Sequence, residues 1–387
     1  MAEAAGTDGS GRSPAFPPPG GRRSSAALVG VAVVSIVALA LGIRCLVRDD
    51  GSGGDDSAAP SVPPSEVSPP SGRPGDEPGS PSEGPDGPAL DVAGSRDPAA
   101  WPFTSNSPWN MPIGSGAQFA DEDDPGTQAL QDAGAYINAA HYSHPIYQAS
   151  TGDPLRQIID RNRGVEGTIH VPDAAVPADG TDAHLHILDP DGKTVHEMWT
   201  AERADDGDLV VGFYRPVSIR GSGIDDGARA YGGSAIGGLI RTWEIFARRI
   251  PHALAFAIPA EKMAPGPVWP ARQEDGQNSD YVGPLPMGVL VAIPPTVDVD
   301  DLDLTPSGRV LARALQDYGA YLVDSGGNFS LYAEPDAEEL PQLADMRTDW
   351  ESLVAQLRPV TNNTATTPGG GGTPRVPLAD GLTPLPS

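Results

Sequence analysis

Between Ala26 and Ile43 the chain runs for eighteen residues without a charge, and this run constrains everything that can fold around it. Extended through Cys45-Leu46-Val47 it approaches the roughly 20 residues needed to cross a bilayer and exceeds most signal-peptide cores. Residues 26–47 are therefore expected to form a transmembrane anchor held in the lipid bilayer. A cleaved signal peptide is the alternative, because Ala38-Leu39-Ala40 resembles a cleavage site, although Leu41-Gly42-Ile43 continues the apolar run past it. Arg12, Arg22 and Arg23 precede the run, and Arg44 and Arg48 come after it. That small excess of bases favours a cytoplasmic, disordered tail at 1–25.

The segment after the run cannot fold alone. From Asp49 to Asp97 there are eleven acids, two arginines and almost no large apolar residue among Pro, Ser and Gly, too little to bury. Residues 48–100 are expected to be an extended spacer, self-repelling and stiffened by Pro. The tail 360–387, TNNTATTPGGGGTPRVPLADGLTPLPS with its flanking Val360, is also low in complexity and expected to be disordered. A single domain, 101–359, is left to carry a core. With 52 acids against 25 bases the net charge is -27, which excludes nucleic acid as a partner. Cys45 is the only cysteine, so no internal disulfide is possible.

Within the domain, short apolar runs bounded by Pro, Gly or Asp recur at Ile146-Tyr147, 167–171, 209–214, 253–258, 289–293, 321–323 and 329–333. Helices are the minority. Residues 240–249 and 347–357 are two, and Thr305-Pro306 reads as a cap and first-turn pair opening a third, with Val310, Leu311, Ala314, Leu315 and Tyr318 on one stripe. The expected class is mainly β, a β-sandwich or jelly-roll-like fold with a few peripheral helices.

The chemistry concentrates in GTDAHLHILDPDGKTVHEMWTA, residues 180–201. Asp189-Pro190-Asp191-Gly192 is turn chemistry between two alternating runs, so a hairpin is expected. A three-residue loop pairs Asp189 with Lys193, which sets His186 opposite His196 and His184 opposite Met198 on one face. Ala183, Leu185, Ile187, Val195 and Trp199 then form the core face, interrupted only by Glu197. A two-residue loop would turn His196 away, whereas His184 and His186 share a face in either case. Solvated polar residues on an antiparallel sheet are the plainer reading of this face.

Downstream, Arg220 to Gly238 is dense in glycine but lacks the final glycine of a dinucleotide fingerprint, the Gly-Lys-Ser/Thr of a phosphate loop and the closing glycine of a nucleophile elbow. It reads as a tight crossover, or as a loop presenting Asp225 or Asp226 at a cleft. His184-x-His186 has the spacing of metal-binding strands, yet the glutamate of a cupin-type site is missing from its place, and no metal or other cofactor is expected. VDVDDLDL, residues 297–304, lacks the glycine and glutamate of a calcium loop.

SPWNMPIG, IPHALAFAIP and LQDYGAYLVDSGGNFSLYAE resemble segments of a group of secreted or membrane-anchored bacterial proteins, over about 101–334. The resemblance implies export but supplies no mechanism. In architecture alone, an exported β domain with His, Tyr, Arg and carboxylate on one face is similar to jelly-roll polysaccharide lyases and glycosidases, though their motifs are not present.

The expected function is accordingly a membrane-tethered, extracytoplasmic carbohydrate-active protein, a polysaccharide lyase or glycoside hydrolase acting on cell-envelope or environmental polysaccharide. The expected catalytic residues are His184, His186, His252, Asp225 and Asp324, with His196, Arg229 and Tyr231 binding substrate. The rival is a non-catalytic glycan-binding or envelope-structural module, in which these side chains do not converge.

Overall fold

Asp191 decides the register of the central hairpin. Its carboxylate accepts from the backbone N–H of Lys193 and Thr194 and from the Thr194 hydroxyl, so the loop takes in one residue more than a glycine-bulge turn would. Asp189 then pairs with Thr194, and Leu185 faces Met198, His186 faces Glu197 and Ile187 faces His196. The expected register is off by one. Leu185 and Ile187 share their face with His196 and Met198, while Val195 and Glu197 stand on the face of His184 and His186.

The computed structural model describes residues 94–275 and 280–385; the expected anchor and most of the expected spacer lie outside the described residues. The described chain is mainly β, with four α-helices. The hairpin strands Leu185–Leu188 and Thr194–Trp199 sit between Phe213–Ser218 and Ile146–Gln148 in a four-stranded sheet. A second four-stranded sheet runs in the order Gly164–His170, Leu155–Asp160, Leu209–Val211, Glu202–Arg203. The chain passes from one sheet to the other at Gly212, where a Cβ would lie 2.2 Å from the Thr200 hydroxyl, so a larger residue there would have to displace the Thr200 side chain. Ile158, Ile169 and Leu209 from one sheet and Leu185, Ile187, Met198 and Tyr214 from the other form a single buried core.

The other face of the hairpin meets a larger core. Its centre is a six-stranded sheet in the order Arg358–Pro359, Leu290–Ala292, Ala320–Ser325, Leu254–Ile258, Phe329–Tyr332, Ala135–Asn138, which mixes parallel and antiparallel pairs. Leu254–Ile258 is buried at every position, as the apolar run IPHALAFAIP requires of a central strand. Four helices flank these sheets: α1 (Pro125–Gln131), α2 (Thr242–Ala247), α3 (Pro306–Asp317) and α4 (Pro341–Val354). The stripe read on α3 is buried at Leu311, Ala314, Leu315 and Tyr318, and Trp350 of α4 packs edge-on against Phe329, 5.0 Å between ring centroids. Among the described residues no helix is long and apolar enough to cross a membrane.

Both ends of the domain extend beyond the expected boundaries. Ser95–Arg96 pairs in parallel with Gly381–Leu382, and the Arg96 guanidinium donates to the carbonyls of Trp101, Pro102 and Phe103. The tail expected to be disordered is laid back over the start of the domain. Thr361 donates to Gln118 and Arg375 to Ile113, and the four glycines 369–372 all take positive φ to bring the backbone against Gly114 and Gly116. Low complexity here provides conformations that residues with a Cβ rarely adopt.

Candidate functional site: a buried histidine cluster beneath a cleft

Two chain segments deliver three imidazoles to one point. His184 and His186 extend from the hairpin, two residues apart on one face. His144 arrives between Ser143, whose hydroxyl bonds the Ala333 carbonyl at the end of the large sheet, and Pro145, whose carbonyl accepts from His186 N–H at 3.0 Å. The segment therefore straddles both sheets and drives His144 into the seam. Its Nδ1 lies 2.9 Å from His186 Nε2, and its ring centroid is 4.3 Å from that of His184.

The glycine-rich loop adds the fourth member, Arg229. Glu197, buried under the loop, accepts from Ala228 N–H and Ala235 N–H, each at 2.9 Å, and from the Ser234 hydroxyl. Gly227 can take no Cβ, since one would fall 2.0 Å from the Gly233 carbonyl. Pinned in this way, the loop inserts Arg229, whose Nε donates to Asp324 Oδ2 at 3.0 Å, whose Nη1 donates to His144 Nε2, and whose guanidinium lies 4.1 Å from the centre of the Tyr332 ring. Burial pushes the Glu197 carboxyl up despite its donors.

Arg229 orders the protons. Because it can only donate, His144 Nε2 must accept, Nδ1 must carry the proton, and that proton is donated to His186 Nε2. Burial first, and then the neighbouring Arg229 charge, holds His144 well below the usual histidine range and His184 down to about 3; for His186, burial is followed by His184 and then Arg229. All three rings are neutral at pH 7. Nδ1 of His184 and Nδ1 of His186 are buried without a protein partner. One ligating nitrogen from each histidine lies within 4.8 Å of the others, so these three residues could hold a metal ion.

Two cavities open above the cluster. One, of about 440 Å³, is lined by His184, Arg229, Asp324, Asp182, Asp275 and Trp199. The other, of about 510 Å³, is lined by Tyr136, Tyr142, His141 and Tyr332, and the two share Asp182 and Ser325. Burial pushes Asp324 up to about 7, with Asp275 and Asp182 adding to the rise and Arg229 opposing it. Its side chain nevertheless keeps 26% exposure toward the cavity. Tyr136, Tyr142 and Trp199 are 46%, 43% and 41% exposed, enough to offer a ring face to a ligand.

Of the residues expected from sequence, His184, His186, Asp324 and Arg229 come together. The other four do not. His196 lies on the opposite face of the hairpin, bonded to Tyr214 at 2.8 Å and to Asp189 at 3.1 Å. His252 is buried against Glu244, 2.8 Å away, in a separate ion pair. Asp225 is exposed and accepts from Ser222, and Tyr231 is core, edge-on to Trp109 with its hydroxyl bonded to the carbonyls of Gly223 and Ser234. Sequence reasoning missed His144, Glu197, Tyr332, Asp182 and Asp275. For Glu197 the signal was present in the hairpin, since the alternative register moves it to the histidine face.

No family model, no curated protein and no solved structure matches the chain.

Proposed function

We propose that the protein is a carbohydrate-active enzyme, a glycoside hydrolase acting on neutral glycans of the cell envelope or environment, tethered to the membrane with its domain outside. The observation that carries this reading is the cleft: two adjoining cavities with exposed Tyr136, Tyr142 and Trp199 around a carboxyl that titrates near neutrality. Sugar rings stack on such aromatic faces, and hydrolysis of a glycosidic bond needs one carboxylic acid to protonate the leaving oxygen and one carboxylate beside it. Asp324 fits the acid. Asp182 and Asp275, on the same cavity, fit the carboxylate.

A polysaccharide lyase is the less favoured of the two enzymes. It needs a cation free to neutralise a uronate, and Arg229 is already engaged by Asp324, while Asp182 and Asp275 would repel a polyuronate. The non-catalytic module keeps one observation in its favour: Asp275 is occupied by Ser325 Oγ at 2.9 Å and Tyr281 Oη at 3.3 Å. For the architecture, a β-sandwich is supported by the core that the two four-stranded sheets share. The parallel pairs of the six-stranded sheet weigh against a jelly roll.

The test is release of reducing ends by the full-length chain from a panel of neutral glycans, with Asp324→Asn beside it. Turnover that drops about a hundredfold or more in the variant supports the hydrolase, that being the scale of a lost general acid. Glycan retention without turnover supports the binding module, and neither retention nor turnover on any glycan refutes both.

A further inference from the structure

We infer that His144, His184 and His186 bind a single transition-metal ion of the borderline class, Zn²⁺ or Co²⁺. Each offers one ligating nitrogen, all within 4.8 Å of one another and all on buried side chains. Tetrahedral bonds of about 2.1 Å place ligand nitrogens roughly 3.4 Å apart, so shifts on the order of an ångström close the set around an ion. The 2.9 Å pair, His144 Nδ1 and His186 Nε2, opens slightly to do so. Three imidazoles without a carboxylate among them select Zn²⁺ or Co²⁺ over Ca²⁺ and Mg²⁺. The second observation is the pair of orphaned nitrogens. Nδ1 of His184 and Nδ1 of His186 are buried without a hydrogen-bond partner, on rings stacked with centroids 5.8 Å apart. An ion bound through Nδ1 of His184 would meet the unmade bond there, whereas His186 ligates through Nε2 and keeps its proton on Nδ1 with or without the ion.

Arg229 is the group that opposes an ion, and it also shows how the site would work. Its donation to His144 Nε2 keeps a proton on Nδ1, where that ring would have to ligate. When an ion takes the Nδ1 lone pair, the proton moves to Nε2, and Arg229 must release His144 and turn wholly to Asp324, which it already holds at 3.0 Å. The ion and the Arg229–His144 bond exclude one another. Of the three ligands only His184 lines the cavity, so the ion would enter past its ring. The metal site stands apart from the glycan reading and needs no substrate to test.

The full-length chain is stripped with chelator, dialysed against Zn²⁺ and washed, and bound zinc is counted by elemental analysis, with calorimetric titration for affinity. One equivalent is expected in the wild type. Arg229→Met, which removes the opposing charge and donor, should bind at least about tenfold more tightly, the size of effect a neighbour of a ligating histidine exerts. His186→Gln and His144→Asn, checked for folding by near-ultraviolet circular dichroism, should lose the equivalent. Should the wild type and Arg229→Met both retain no zinc, the inference fails. It fails equally if zinc persists in folded His186→Gln and His144→Asn, which would assign it to other histidines such as the exposed His141.

Discussion

His252 shows how two buried histidines in one protein can be held in opposite states. In the cluster, Arg229 adds to burial and the rings stay neutral. At His252 burial again favours the neutral ring, but Glu244 at 2.8 Å and the Ala253 carbonyl outweigh it against weak opposition from Arg241, and the pKa rises above its ordinary value. A histidine raised on folding contributes stability in full below its unfolded pKa and loses that contribution as pH climbs through the folded one. His252→Gln should therefore fall furthest behind the wild type near pH 6 and less far as pH is raised toward about 9. The deficit at the acidic end should be roughly 3 kcal/mol, as for other broken buried pairs. Urea unfolding of both proteins across that range measures it, and a deficit that stays constant or widens with pH would remove the charged pair from the account.

At the scale of elements, the α3–α4 contact inverts a rule of helix propensity. Thr305 caps α3 by accepting from Gly308 N–H at 2.9 Å, and its hydroxyl donates to Asp349 Oδ2 of α4 at 2.6 Å. Asp349 also accepts from Thr305 N–H. A Cβ on Gly308 would fall 1.9 Å from that same carboxylate oxygen. An exposed helix glycine gains about 1 kcal/mol on becoming alanine, whereas Gly308→Ala must displace Asp349 and the cap with it. Thr305→Ala should lose roughly 1–2 kcal/mol as an ordinary cap does, and Gly308→Ala at least about as much. Thermal unfolding of the two variants decides this, and a stabilised Gly308→Ala would contradict the packing described. The hairpin makes a related point: one carboxylate, Asp191, lengthens a turn by a residue and thereby exchanges His196 for Glu197 on the site face.

For the whole molecule, a chain of net charge -27 lines the cavity of Asp324 with one arginine, Arg229, and pairs it to that carboxylate. We propose that residues 26–47 anchor this domain outside the membrane, a reading that rests on the uncharged run and on the disorder-promoting composition after it. Protease added to intact cells, after removal of any cell wall, should release a fragment beginning between Gly51 and Ser95. A domain protected until the membrane is opened would reverse the orientation. Appearance in the medium with Leu41 at its amino terminus would make the segment a cleaved signal.

The mainly β character, the cap and stripe of α3 and the fully buried strand Leu254–Ile258 were legible in the sequence. Each depends on neighbours within a few residues, where periodicity and turn chemistry act directly. His184 and His186 were legible as a pair for the same reason, since a period of two fixes their common face whatever the register. The groups opposite them were not. His144 is 42 residues from His186, Arg229 is 85 from His144 and Asp324 is 95 from Arg229. Their meeting depends on the seam between two sheets and on Glu197 pinning a loop, contacts that no local pattern encodes. The tail misled for a complementary reason: glycine and proline lower the local preference for regular structure, but whether such a segment is ordered is decided by what it packs against, here the backbone at 113–118.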